Sequence, residues 1–449
     1  MLFLIILIGV LFVVFATAKL KLHPFIALLL AAFFVGLAAG MPLMTVVASV
    51  NTGFGGLMTS IGIVIVAGTI IGTILERSGA AYRMAEVVLR IVGPKRPQLA
   101  MSLIGYIVSI PVFCDSGFII LNSLKKALAK RAGVTVASMA IALATGLFAT
   151  HVLVPPTPGP IAAAGNIDAA DYLGTIIIIG LLIAIPATLV GYIWAVKVGS
   201  KIRTEQDDEP TLDYEEIIKS FGKMPSTFKA FFPIVLPIVL IGIGSAAALL
   251  ADNPDTGIAM FLRFLGSPTV ALLLGVFASF LLLPELSETT LTDWIGDSLK
   301  DAAPILLITG AGGSFGTVIK DSGVGDLIQK MDLSAISSGA LFLIVPFIIA
   351  AALKTAQGSS TTALVITSTL VAPLLPSLGI EGAVPLALVV MAIGEGAMTV
   401  SHVNDSFFWV ITQYSGLKLP QAYKAITVST LLMGLTTIIV TMIVWVILV

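Results

Sequence analysis

Gly72-Thr-Ile-Leu-Glu-Arg-Ser-Gly79 returns later in the chain as Gly316-Thr-Val-Ile-Lys-Asp-Ser-Gly323, an offset of 244 residues (316 minus 72). The same offset lays Pro24-Phe-Ile-Ala-Leu-Leu-Leu-Ala-Ala-Phe33 on Pro268-Thr-Val-Ala-Leu-Leu-Leu-Gly-Val-Phe277. Apolar helices match by chance because their alphabet is small, so the polar Ser-Gly endings and the shared register carry the weight. With a seven-residue slip, Thr150-His151-Val152 falls on Ser401-His402-Val403 and makes counterparts of two histidines. The chain therefore reads as two copies of one unit, and such internal repeats are a common ground plan of secondary transporters.

Composition says what solvent those copies sit in. Of 449 residues, 57% are hydrophobic and 11% charged, with mean hydropathy +1.08. Soluble domains carry about a quarter charged residues, so most of this surface must face lipid. The expected class is an all-α polytopic membrane protein with lipid as its main partner. A net charge of −1 and the lack of a basic run exclude a nucleic-acid partner. Cys114 is the single cysteine, and His23, His151 and His402 are far apart in sequence, so no disulfide, metal site or cofactor is expected.

Apolar runs lie at 1–18, 24–40, 57–75, 99–112, 118–129, 134–150, 173–196, 231–250, 268–283, 303–319, 340–353, 361–375, 383–400 and 425–449. The first is followed rather than preceded by its basic residues, Lys19 and Lys21, and reads as a retained helix. Crossing about 30 Å of hydrocarbon takes about 20 helical residues. The runs around 98–130 are shorter and interrupted at Pro111 and Gly117, so they read as a re-entrant hairpin, and 339–375 as its counterpart. This threading gives ten crossings with both termini outside. Of the 24 Lys and Arg, removing Arg263, Lys320, Lys330 and Lys354 leaves 20 on one side, as the positive-inside rule requires. Four short full spans in place of the hairpins would keep the same sidedness. The crossing at 231–250 inverts one copy relative to the other. The expected organisation is an N-terminal helix at 1–22, a first inverted repeat at 23–200, a cytoplasmic polar linker at 201–229, a connecting helix and loop at 230–266, and a second repeat at 267–449.

Four interruptions carry the polar residues: Pro111-Val-Phe-Cys-Asp-Ser-Gly117, His151-Val-Leu-Val-Pro-Pro-Thr-Pro-Gly-Pro160, Thr355-Ala-Gln-Gly-Ser-Ser-Thr-Thr362 and Ser401-His-Val-Asn-Asp-Ser406. Non-helical backbone persists at membrane depth only when buried in protein or lining a watery cavity. A helix restarting after such a break aims free N–H groups at the gap and can hold an anion. The expected ligand is small and anionic. A carboxylate at this depth is functional by default, which singles out Asp115 as leading proton carrier, followed by Asp405 and Glu395. Ser116 and Gly117 beside Asp115, then His151, Thr157, Gly358, Ser359, Ser360, Thr361, His402, Asn404 and Asp405, are the expected substrate contacts. Lys354 either neutralises an acidic substrate or snorkels.

These motifs resemble the gluconate permease family of proton symporters, within the ion transporter superfamily. The residues that carry the resemblance are Pro111-Val-Phe-Cys-Asp-Ser-Gly-Phe118, His151-x-x-x-Pro-Pro-x-Pro-Gly-Pro160, Gly358-Ser-Ser-Thr361 and Ser401-His-Val-Asn-Asp-Ser-x-Phe-Trp409, and the similarity runs through nearly the whole chain. The resemblance implies import of gluconate or a related sugar acid with protons across the bacterial inner membrane. It also implies a homodimer whose mobile domain carries the hairpin tips, and functional positions at Asp115, His151, Ser359, Thr361, His402, Asn404 and Asp405. Thr157 stands where related permeases commonly have a second histidine, and many have arginine near Lys354, so a D-serine or other hydroxy-acid permease stays open. Asp115, Asn404 and the hairpin carbonyls equally suit Na⁺ as coupling ion.

Overall fold

The computed structural model describes residues 2–93, 96–207, 224–250, 256–323, 339–403 and 405–449, so Asn404 and the linker residues 208–223 lie outside the described residues. Among the described residues every regular element is helical. The first part runs α1 (Leu2–Ala18), α2 (Pro24–Ala38), α3 (Leu43–Leu57), α4 (Ile63–Arg77), α5 (Ala80–Val92), α6 (Pro97–Val108), α7 (Cys114–Ile120), α8 (Asn122–Ala132), α9 (Val136–Leu153), α10 (Pro158–Asn166) and α11 (Leu173–Lys197). The second runs α12 (Thr227–Leu250), α13 (Gly257–Gly266), α14 (Pro268–Ser279), α15 (Trp294–Asp321), α16 (Ile344–Gln357), α17 (Ser360–Val371), α18 (Ala383–Met398), α19 (Ser406–Tyr414), α20 (Leu419–Ala422) and α21 (Val428–Leu448). Among the described residues, seven helical stretches are long and apolar enough to cross a membrane, and the α13–α14 pair, bent by 62°, makes an eighth.

The elements repeated in sequence end alike. Both α4 and α15 finish on a serine in the right-handed region, Ser78 and Ser322, followed by Gly79 at φ +75° and Gly323 at φ +84°. A positive φ at this position strains any residue with a Cβ, so the recurring glycine has a backbone cause. Proline occupies the first turn of both α2 and α14, where its missing N–H would have no helical partner anyway.

Two helices start earlier than the apolar runs predict. Instead of 57–75 and 303–319, the continuous rods are Leu43–Arg77, with a π-turn at Met58–Gly62, and Thr290–Asp321. Hydropathy misses the first because it carries Ser49, Asn51, Thr52 and three glycines, and the second because it carries Asp297, Lys300 and Asp301. The rods survive by packing on each other. A Cβ at Gly53 would strike the Gly313 carbonyl, and the Ser314 hydroxyl donates to the Val50 carbonyl at 2.8 Å. Their ends are tied by Arg77 to Asp297 at 2.9 Å and by the Ser49 hydroxyl to Asp321 at 2.6 Å. The Arg77 pair is over a third exposed and so fixes register more than it stabilises. Residues 257–266, expected as loop, form α13, whose exposed Ile258, Met260, Phe261 and Phe264 suit a lipid-facing surface.

The four interruptions fall where the sequence places them, with one shift. Helix α6 and helix α8 lie against each other, and the chain between them passes through Pro111 and a tip ending at Phe113. Gly117, read as an interruption, is inside α7, and its missing side chain admits the Leu147 methyl to 2.8 Å from where a Cβ would stand. Helices α16 and α17 meet at Gly358, φ +88°. The α9–α10 and α18–α19 pairs break at 154–157 and 399–405. Helix α9 is apolar all round and buried along its whole length, as such a helix must be when protein surrounds it. The site lies at its C-terminal end.

Candidate functional site

Between the two hairpin tips, the C-terminal end of α9 and the first turn of α19 lies a cavity of about 300 Å³. That is at the small end of the roughly 300–1,000 Å³ typical of small-molecule sites. The first hairpin contributes Phe113, Cys114 and Asp115, and α9 contributes Phe148 and His151. The second hairpin adds Gly358, Ser359, Ser360 and Thr361, and α19 adds Asp405, Ser406 and Phe407.

Asp115 occupies the first turn of α7, next to the tip that Pro111 presses onto α4, where Gly72 leaves room for the Pro111 carbonyl. One of its oxygens, Oδ1, is buried with no hydrogen-bond partner, and the other has the Cys114 thiol at 3.9 Å. His151, in the last turn of α9, is buried, its ring centroid 5.8 Å from that of Phe113, and its Nδ1 has no partner. Two buried polar atoms without a hydrogen-bond partner thus stand on residues that line one cavity.

The second hairpin and α19 are built around one buried charge pair. The Lys354 ammonium lies 2.7 Å from Asp405, with side chains 1% and 4% exposed, and donates to the Gly358 carbonyl at 2.6 Å. Asp405 also accepts from the Ser401 hydroxyl and from the Phe407 N–H at 3.1 Å, which makes it the N-cap of α19. Ser359 caps α17 in the same way, accepting from the Thr362 N–H at 3.2 Å. The first turns of α17 and α19 therefore both face the cavity, and their unpaired N–H groups and positive dipole ends favour an anion there. Lys354 and Asp405 cancel each other. What remains for a ligand is a set of N–H and hydroxyl donors, His151, and the acidic Asp115.

Not every expected residue reaches the cavity. Ser116 turns toward Glu76, and Gly117 packs on Leu147. Thr157 is buried and donates to the Val154 carbonyl at 2.5 Å. His402, the counterpart of His151, is spent on the Thr355 carbonyl, 2.8 Å from its Nε2. Glu395 is fully buried on α18 and bonded to the Thr441 hydroxyl, away from the cavity lining. Sequence reasoning did not assign Phe113, Cys114, Phe148, Ser406 or Phe407 to the lining. It named Lys354 and Asp405 without pairing them, although a lysine closing one apolar run and an aspartate in the break after another were the available signal.

Comparison with known proteins agrees with this architecture. A family model described as GntP family permease matches residues 1–447. The chain belongs to the GntP permease family. The permease is 35% identical to the inner membrane permease YgbN of Escherichia coli, over 97% of each chain. It is 32% identical to a gluconate permease of Zymomonas mobilis, over 98% of this chain and 97% of that one, and 32% identical to the D-serine transporter DsdX of Escherichia coli, over 94% of each. Its fold is similar to that of Neisseria gonorrhoeae MtrF, described among antimetabolite efflux pumps. There the TM-score is 0.67 at 16% identity, covering 96% of this chain and 97% of that one. The permease is an integral membrane protein, and the resemblance read from its four motifs is borne out at the level of family.

Proposed function

We propose that this permease imports a small hydroxylated carboxylate, gluconate or a related sugar acid, together with protons across the bacterial inner membrane. The observation that supports this most directly is the pairing, across one cavity, of the unpartnered Asp115 carboxylate oxygen with the first turns of α17 and α19. In this reading the substrate carboxylate sits at those N–H groups and its hydroxyls reach Thr361 and His151. Asp115 takes up a proton as the anion enters, because two negative charges in one low-dielectric cavity repel strongly. The names of the relatives, gluconate permease, D-serine transporter and inner membrane permease, support the ligand class and the location. The two inverted halves, the re-entrant hairpins, and a homodimer whose mobile part carries the hairpin tips complete the proposal.

The test is uptake into proteoliposomes of gluconate, other sugar acids, glycerate and D-serine, with H⁺ and Na⁺ gradients imposed separately. The expected result is accumulation of unchanged sugar acid driven by the pH gradient alone. Accumulation that follows only the Na⁺ gradient would replace the proton, and equilibration without accumulation would replace the symporter with a passive path.

A further inference from the structure

Lys125 lies on α8, the returning limb of the first hairpin, and is fully buried. Its ammonium donates to the Tyr414 carbonyl at 3.0 Å and to the Ser415 hydroxyl at 2.8 Å, and stands 4.8 Å from the centroid of the Phe118 ring. Among the described residues no carboxylate forms an ion pair with it. Burying an ammonium without an anion is expensive, and two neutral acceptors offset only part of that cost. A charge kept against that cost calls for a role other than stability.

The groups it meets supply one. Tyr414 is the last residue of α19 and Ser415 its C-cap, so Lys125 satisfies a carbonyl that the helix leaves unbonded, at the negative end of its dipole. At the other end of α19, Asp405 is held by Lys354 of the second hairpin. A lysine from each hairpin thus grips one end of the same short helix. Between the grips, the Phe407 ring packs on Phe118 of the first hairpin, centroids 6.1 Å apart, and on Phe148, 5.4 Å apart.

We propose that Lys125 is a positioning residue for transport: its grip on the C-terminal end of α19 makes the first hairpin and α19 move as one body, so Asp115 and the first turn of α19 keep their places across the cavity. The proposal rests on the reading of that cavity as the transport site. Its test does not need the substrate, because Cys114, the single cysteine of the chain, lines the cavity on the hairpin side and reports separation of its walls.

The full-length protein in lipid nanodiscs is treated with a small charged methanethiosulfonate reagent, and Cys114 modification is timed by mass spectrometry. Lys125→Met is expected to react about tenfold faster, a shift of about 1.4 kcal/mol in the opening equilibrium, with a melting temperature equal to or above that of the native protein. Ser415→Ala, which removes only one acceptor, is expected to react two- to threefold faster. The double variant should go no faster than Lys125→Met, since both remove one contact. In uptake assays Lys125→Met should raise KM more than it lowers Vmax. Native labelling rates in both single variants would overturn the grip. If Lys125→Met melts lower, Ser415→Ala decides: labelling at the native rate there would overturn the proposal, and faster labelling would support it. Failure of every carboxylate to be transported would sink the proposed function and leave the labelling result standing.

Discussion

The two broken helices share a plan and differ in what fills the break. Between α9 and α10 the chain passes through Pro155 and Pro156 with no charged residue, and α10 is then held at its far end by neutral bonds. There the Asn166 amide donates to the Val365 carbonyl at 3.1 Å and to the Ser368 hydroxyl at 2.8 Å. Between α18 and α19 the break is pinned by hydroxyls and a charge pair. Thr427 donates to the Ser401 carbonyl at 2.6 Å, the Ser401 N–H donates to Thr430 at 3.0 Å, and Lys354 meets Asp405. The first turn of α19 lines the cavity, whereas the first turn of α10 packs Gly159 against Leu364 and Thr361 of the second hairpin. A repeat in sequence has therefore become a division of labour. One break is an uncharged joint packed on the second hairpin, and the other is a charged wall whose lysine and aspartate neutralise each other.

The sharpest way to break this comparison is Lys354→Met. It leaves Asp405 buried without its cation, and unfolding stability should fall by about 3–5 kcal/mol, measured by denaturation of purified protein, with transport lost. Adding Asp405→Asn should return much of that stability, which would show that the penalty is the stranded charge. Next comes Asp115→Asn, which should abolish pH-driven accumulation while shifting stability by less than about 1 kcal/mol, because among the described residues Asp115 has no ion-pair partner to lose. Normal accumulation in that variant would remove Asp115 from the coupling step. The two histidines then test the asymmetry directly. His151→Gln should weaken substrate binding about tenfold, read by isothermal titration, with little change in melting. His402→Gln should leave affinity unchanged and cost about 0.5–1.5 kcal/mol through its lost bond to Thr355. The smallest functional effect belongs to the neutral joint: Asn166→Leu should cost about 1–3 kcal/mol of stability, with KM unchanged.

Much of this was legible in the sequence, and the parts that were not share a cause. Breaks rich in proline, glycine and hydroxyls inside apolar runs located the four helix interruptions, because bare backbone in lipid has so few solutions. Asp115 was legible for the same reason. What one chain cannot display is which polar groups satisfy one another. His151 and His402 look equivalent along the sequence, and only the position of the Thr355 carbonyl separates them. Lys125 sits among Lys126, Lys130 and Arg131 and reads as one more cytoplasmic charge, yet it faces inward while Lys130 and Arg131 are exposed. The polar first halves of the two long rods were lost to hydropathy because their burial comes from helix-on-helix contact rather than from lipid.

That contact has an outcome for how the permease can change over generations. Where Gly53 touches the backbone of Gly313, neither position can accept a methyl group unless the other rod retreats, and the retreat would drag Ser314 off Val50. The two halves of the chain have therefore forfeited the freedom to diverge separately at this crossing. Any drift in one is censored by the other, and a swap of either rod for that of a distant relative should fail unless both are exchanged together.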